Sequence, residues 1–302
     1  MSMPSISGFM VLRNAAETGY PFIESIVSAL AICDEFLISD GFSSDDTWAC
    51  LNELKSCYPD RITLFQDSWP AWRDYGRVMA TVSNLVRARC RGDFCLYVQS
   101  NEVMHESSRE EIRRWPLQYP DVELFRIPYC NYLGPDDQMV FDFRRRLFAN
   151  KPRIALVGDA YDAGYLKGQL LKTPRRFVPY LLHREGEKAC YLRDPYHRYW
   201  GIAPRGYLTK LRQRSAEYDN EALAPAWRDE LDVAERAIEE ISEDGGCQNA
   251  FWRPLADLQR SIRYAGKVPG SQNLGPHPQL VEPLLGQWRY DPWASLERLS
   301  EH

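Results

Sequence analysis

Through the first 130 residues, short apolar runs alternate with segments whose apolar positions recur every three or four residues. Runs 6–12 (ISGFMVL), 35–39 (EFLIS), 61–65 (RITLF), 93–98 (DFCLYV) and 122–127 (VELFRI) have the length and apolar density of buried strands. Between the first two, Phe22, Ile23, Ile26, Val27 and Leu30 share one helical face behind Pro21, whose fixed φ suits a first helical position. Trp48, Leu51 and Leu54 mark a second helix after Asp45-Asp46, and a third occupies about 77–91. Ser107-x-x-Glu110 and Ser108-x-x-Glu111 are both capping-box spacings for a fourth, ending near Trp115. This order predicts an α/β fold, a mostly parallel sheet covered by helices.

Beyond residue 130 the alternation weakens. Arg144-Arg145-Arg146 opens a segment in which Lys and Arg are interleaved with Tyr161, Tyr165, Phe177, Tyr180, Tyr191, Tyr196, Tyr199 and Trp200. From Ala216 the chain turns acidic, and Leu231, Val233, Ala234, Ala237, Ile238 and Ile241 form a helical stripe that stops at Gly245-Gly246. Residues 268–293, rich in Pro, Gly and Trp, read as an irregular tail packed on the domain or on a partner. The expected organisation is one domain over 1–215, with halves 1–128 and 129–215, and a C-terminal helical extension over 216–302.

Composition changes this picture in two respects. Hydrophobic residues at 44% and charged residues at 26% are ordinary for a globular protein. MSMPSISGFM has no charged n-region or apolar h-region, and no apolar run approaches the roughly eighteen residues of a spanning helix. The eight cysteines form no C-x-x-C pair, so a reduced, cytoplasmic protein without a zinc knuckle is expected. The second respect is charge. Residues 143–214 hold 17 basic and 5 acidic side chains, a net of +12, whereas the remainder carries −17. An acidic protein with one basic third is expected to meet something negative there.

Candidate chemistry gathers where the strands end. The first four runs are followed by Arg13-Asn14, by Asp40, by Asp67 and by Gln99-Ser100-Asn101-Glu102. The carboxyl ends of parallel strands are where open α/β sheets bind ligands. Asp40 offers a carboxylate acceptor for imide or hydroxyl donors, and Gly41 lacks the Cβ that would keep a ligand away. The simpler alternative for Asp40 and Asp46 is a turn or N-cap role.

Arg13-Asn14, Tyr20-Pro21-Phe22-Ile23-Glu24-Ser25, Cys33-Asp34-Glu35-Phe36, Asp40-Gly41-Phe42-Ser43-Ser44-Asp45-Asp46-Thr47, Gly92-Asp93-Phe94 and Gln99-Ser100-Asn101-Glu102-Val103 occur in an order that resembles the family-two glycosyltransferases of GT-A fold, in a bacterial and phage branch. The likeness continues more weakly at Tyr196-His197 and covers about two-thirds of the chain. The resemblance implies a nucleotide-sugar donor half over 1–128 and an acceptor half over 129–215. Arg13 and Asn14 would border the base, Asp40 would bond the base or ribose, and Gly41 with Ser43 would admit the ligand backbone-close. Asn84, Gln99 and Asn101 are assigned to the same nucleotide set, with a UDP-sugar the family default.

The family's acidic motif holds Mn²⁺ or Mg²⁺ against the donor diphosphate, because hard cations want oxygen ligands. Gln99 and Asn101 stand at its first and last acidic positions, which leaves Glu102 as the carboxylate; Asn101 and His197 would complete the ligand set. An inverting transfer needs a base beyond the motif, and Asp162 is preferred over Asp159. The basic third suits a polyanionic acceptor, such as modified-base DNA, or a lipopolysaccharide or cell-wall glycan. The reading from another class is a catalytically inactive nucleotide-sugar-binding module, which the altered motif motivates. A nucleotidyltransferase is disfavoured, because no Gly-rich basic loop follows the first strand.

Overall fold

The computed structural model describes residues 2–71, 75–134, 137–157, 160, 162–165, 187–189, 196–201, 203–217, 224–239, 248–263 and 277–300. Strands β1 (Ile6–Leu12), β2 (Glu35–Asp40), β3 (Ile62–Gln66) and β4 (Phe94–Tyr97) lie in the order β3-β2-β1-β4, all parallel. β1 pairs with β2 on one side and β4 on the other, so the direction of winding reverses at β1/β4. In such sheets the crevice at that reversal is where ligands bind. Beyond β4 the order continues through β7 (Asp137–Ala149), β6 (Leu124–Leu133), β11 (Tyr196–Gly201) and β5 (Glu102–Val103), and β10 (Glu187–Ala189) adds to β6. Only β7 and β5 run against the others, so the nine-stranded sheet is mostly parallel, as the alternation of elements predicts. The long β6–β7 hairpin and the small sheet of β8 (Ile154–Val157) and β9 (Asp162–Tyr165) went unread in the sequence.

The period of two in β1 divides the core. Ile6, Met10 and Leu12 face the layer of α1 (Phe22–Leu30), α2 (Thr47–Cys57) and α4 (Arg109–Gln118), together with residues near the C-terminus. Phe9 and Val11 face α3 (Tyr75–Arg87), β8 and β9. Each fully buried side chain of this size contributes roughly 1.5–3 kcal/mol. The fourth helix forms without its capping boxes: a 3-10 turn at Glu106–Ser108 leads directly into α4, and no Ser108 side-chain bond caps it.

On the far side, α5 (Pro204–Glu217), α6 (Ala224–Glu239) and α7 (Asn249–Arg263) share a core of Tyr207, Leu211, Ala234, Phe251, Trp252 and Leu255. Helix α5, which begins before residue 216, packs in the same cluster as α6 and α7. The cluster docks through Leu133 and through Gly134, which has φ 75°; a Cβ there would lie 2.4 Å from the Trp252 ring. Ile241 and Gly245-Gly246 lie outside the described residues.

The Pro-rich tail returns to the first core. Val281, Leu284, Tyr290 and Leu296 pack with Phe22, Ile23 and Ile26, and the chain ends in α8 (Pro292–Ser300), which packs on α1 and α2. This explains why α1 is buried on more than its apolar stripe: Glu24, Ser25 and Ser28 are inside as well. Ser28 Oγ bonds the Ser25 carbonyl and the Met104 N–H, and Glu24 accepts from Tyr290 Oη at 2.9 Å with Arg298 Nη2 at 3.6 Å.

Burial raises the Glu24 carboxyl above its ordinary 4.5, outweighing the Ser295 and Tyr290 bonds that favour the anion. The folded state therefore binds the proton more tightly than the unfolded chain, and stability falls as pH rises from about 4.5 through the folded value. Urea unfolding of Glu24→Gln between acidic and neutral pH should lose that decline; an unaltered slope would assign it to another group.

Candidate active site at the strand ends

β1, β2, β3 and β4 end on one edge, with Leu12 level with Asp40 and Asp40 level with Gln66. The loops that follow are tied to one another. Asp40 is wholly buried and accepts from Ser43 N–H at 3.0 Å, from Ser43 Oγ, and from Gln66 Nε2 at 3.1 Å. Ser43 Oγ in turn accepts from Asn14 N–H at 2.8 Å, and Asn14 Oδ1 accepts from Ser44 N–H at 2.9 Å. Asn14 holds φ 51°, a conformation Asn tolerates. The carboxylate expected to bond a nucleoside is thus the fastener of two loops. Arg13, next to it, is exposed. Asp67 is similarly committed: Arg89 grips it at 2.6 and 2.8 Å and holds its carboxyl below the usual range.

Two aromatics that the sequence reading passed over complete this edge. Trp69 lies on Gly41, where a Cβ would come within 2.6 Å of the indole, so glycine is required by the ring that covers it. The body of Trp69 packs on the α3-side core, and its buried Nε1–H has no hydrogen-bond partner among the described residues. An unpaired buried donor costs about 1–3 kcal/mol. Phe42, one residue beyond Gly41, has φ 55° and is 53% exposed. A bulky side chain in left-handed backbone is strained by roughly 1–3 kcal/mol, and such strain collects at ligand clamps. The legible signal was positional: Trp69 stands two residues past Asp67, at the end of a third strand.

The motif after β4 is arranged differently from its expected role. Glu102 is fully buried; Oε1 takes a bond from Arg146 Nη2 at 2.6 Å, and Oε2 takes one from Gln99 N–H at 3.0 Å. Arg146, equally buried, reaches in from β7 with its guanidinium 4.9 Å from the Tyr97 ring centre, and its Nη1 bonds the Ala160 carbonyl at 3.3 Å. Asn101, 4% exposed, stitches the turn to β11: its Nδ2 donates to the Tyr199 carbonyl, and its own carbonyl accepts from Tyr199 N–H. The expected metal ligands Glu102 and Asn101 are thus held by Arg146, by Gln99 N–H and by the Tyr199 backbone. No cluster of three or more His, Cys, Asp or Glu stands ready to hold an ion among the described residues. Among the described residues, the donor set at this turn offers a divalent cation no carboxylate that is not already bound.

Of the other expected site residues, Asn84 holds β8 with both ends of its amide, donating to the Leu156 carbonyl at 2.8 Å and accepting from Leu156 N–H at 2.9 Å. Asp162, preferred as base, accepts from Arg145 N–H at 2.6 Å and from Arg145 Nη1 at 2.5 Å, which makes it a clip between β7 and β9. Asp159 lies outside the described residues; Ala160, its neighbour, is buried with φ 57°. His197 is described at the backbone, where it pairs with Val103 beside the motif. The basic third is partly consumed inside: Arg146 and Lys210 are buried, Lys210 over the Tyr207 ring at 3.8 Å, and Arg145 is paired. Much of the remainder, including 166–186, lies outside the described residues.

No family model matches the sequence, and no curated protein sequence matches it significantly. Among solved structures, TarS 1–349 of S. aureus in complex with UDP-GlcNAc is similar at 12% identity and TM-score 0.40, over 85% of this chain and 81% of that one. The mannosyltransferase PcManGT of Pyrobaculum calidifontis, in complex with GDP-Man and Mn²⁺, is similar at 13% identity and TM-score 0.40, over 86% and 70%. Glucosyl-3-phosphoglycerate synthase of Mycobacterium tuberculosis, with Mn²⁺ and UDP, is similar at 17% identity and TM-score 0.28, over 43% and 44%. At these scores the site is read from its own residues alone.

Removing one member of the buried pair leaves the other uncompensated. Glu102→Ala should cost about 3–5 kcal/mol in urea unfolding, whereas the double change Glu102→Leu with Arg146→Met should recover most of it. A mild Glu102→Ala would mean that water reaches the pair.

Proposed function

We propose that this chain is a GT-A-type glycosyltransferase that takes a sugar from a nucleoside-diphosphate donor, UDP-sugar by preference, and transfers it with inversion to an acceptor hydroxyl. The observation that carries the reading is the edge formed by Phe42, Gly41 and Trp69. At the carboxyl ends of β2 and β3, it offers an exposed ring in strained backbone and a buried indole N–H without a partner among the described residues. A nucleobase supplies what both lack: a flat face for the phenyl ring and a carbonyl acceptor for the indole. The loop fastening by Asp40, Ser43 and Asn14 holds this edge in shape before any ligand arrives. The diphosphate then points across the winding reversal towards the Gln99–Glu102 turn, and the acceptor lies over residues 129–215. With Asp162 engaged by Arg145, Asp159 becomes the carboxylate assigned to take the acceptor proton. The internal use of Arg145, Arg146 and Lys210 favours a glycan acceptor over DNA.

Isothermal titration with UDP, GDP and ADP tests the donor reading, with the melting temperature of each protein as control. Phe42→Gly should lower UDP affinity about tenfold, as loss of a base-stacking contact worth roughly 1–3 kcal/mol requires, while raising the melting temperature by relieving strain. Trp69→Phe keeps the ring and removes the donor, so it should weaken UDP by about 1 kcal/mol. Undiminished affinity in both variants would remove the base from this edge.

A further inference from the structure

The Gln99–Glu102 turn stands where the resembling family holds a divalent cation, yet its only carboxylate already has a cation. Arg146 and Glu102 are each fully buried and 2.6 Å apart. The second Glu102 oxygen is bound by Gln99 N–H, and the Asn101 side chain is bound to Tyr199. Gln99 can offer an amide oxygen without formal charge. Mg²⁺ and Mn²⁺ are held through carboxylates because these hard ions need anionic oxygens to replace their water. Among the described residues, an ion set at this turn would find none uncommitted and would face the guanidinium across Glu102. In an interior where charges interact strongly, that repulsion is not screened.

We infer that this site binds its nucleoside-diphosphate ligand without a divalent metal, the Glu102–Arg146 pair having closed the metal position, and that fixed side-chain cations neutralise the diphosphate. Arg13 is the described cation suited to the task. It follows the last residue of β1, the strand from which the chain winds in both directions, and it is exposed. β1 lies between β2, which leads to Phe42, and β4, which leads to the Gln99–Glu102 turn. A guanidinium there can meet a phosphate in the two-pronged manner that suits it. The pair itself is positioning machinery: it orders the turn through Gln99 N–H and touches no ligand. The inference rests on the donor reading given above, but its test separates the two.

Three measurements on the full chain decide it. First, UDP is titrated calorimetrically in EDTA and in Mn²⁺; the two affinities should agree within about twofold, and a gain of tenfold or more in Mn²⁺, about 1.4 kcal/mol, overturns the proposal. Second, Mn²⁺ is titrated against the protein without nucleotide and followed by the EPR signal of the free ion. The signal should be unaffected by the protein; a stoichiometric loss that Glu102→Gln abolishes overturns the proposal. Third, Arg13→Gln should lower affinity for UDP about tenfold and leave affinity for uridine unchanged, since a charge-assisted bond to phosphate is worth roughly 1.5–3 kcal/mol. Equal losses for both ligands would place Arg13 at the base and overturn its assignment as countercharge. Should UDP bind in neither buffer, the donor reading fails, and the EPR titration still decides whether the turn holds a metal.

Discussion

A buried guanidinium on a buried carboxylate organises the centre of this molecule. Taking each ion from water costs several kcal/mol, and attraction at 2.6 Å offsets this only when the remaining donors and acceptors are also met. They are: Glu102 takes the Gln99 N–H, and Arg146 reaches the Ala160 carbonyl and the face of Tyr97. The contacts reach from β4 and its following turn to β7 and the β8–β9 connection. The pair thereby fixes where the antiparallel half of the sheet meets the parallel half. It also explains the position of β7 between β4 and β6, since Arg146 must stand beside Tyr97 to reach Glu102.

The parallel half was legible because its physics is repetitive. Ile6, Phe9, Phe36, Ile38, Leu96 and Tyr97 are wholly buried, and a strand buried on both faces reads as an unbroken apolar run. The β7 strand hid for the opposite reason. Its FDFRRRLFA stretch looks like a solvated charge cluster, whereas Arg144 and Arg146 are buried and Arg146 is matched by Glu102 and Ala160 from distant elements. Pairing of that kind is invisible to local pattern. The same holds for the tail: Pro, Gly and Trp signal irregular chain, and only the tertiary contacts of Tyr290 and Leu296 show that it belongs to the first core.

The candidate site was legible in place and less so in chemistry. Asp40, Gly41 and Gln99–Glu102 do lie on one edge, because polar residues at the ends of successive parallel strands converge there. Which of them are exposed to a ligand depends on partners the sequence does not display. Ser43 claims Asp40, Arg146 claims Glu102 and the Leu156 backbone claims Asn84, whereas Phe42 is exposed in strained backbone and Trp69 keeps a buried N–H unpaired among the described residues.

The closure of α1 by the C-terminal segment has a consequence for how the chain reaches its folded state. Glu24 and Tyr290 are separated by 266 positions and joined by one hydrogen bond inside the core. During vectorial synthesis the strands β1 to β4 emerge before residues 281–296, and the side of α1 that those residues cover waits for them. Until then Phe22, Ile23 and Glu24 lack the cover of Tyr290 and Leu296, which leaves an apolar opening beside a ready-made sheet. Ribosome-bound chains of this protein should therefore depend on shielding by chaperones for longer than the early placement of their strands suggests.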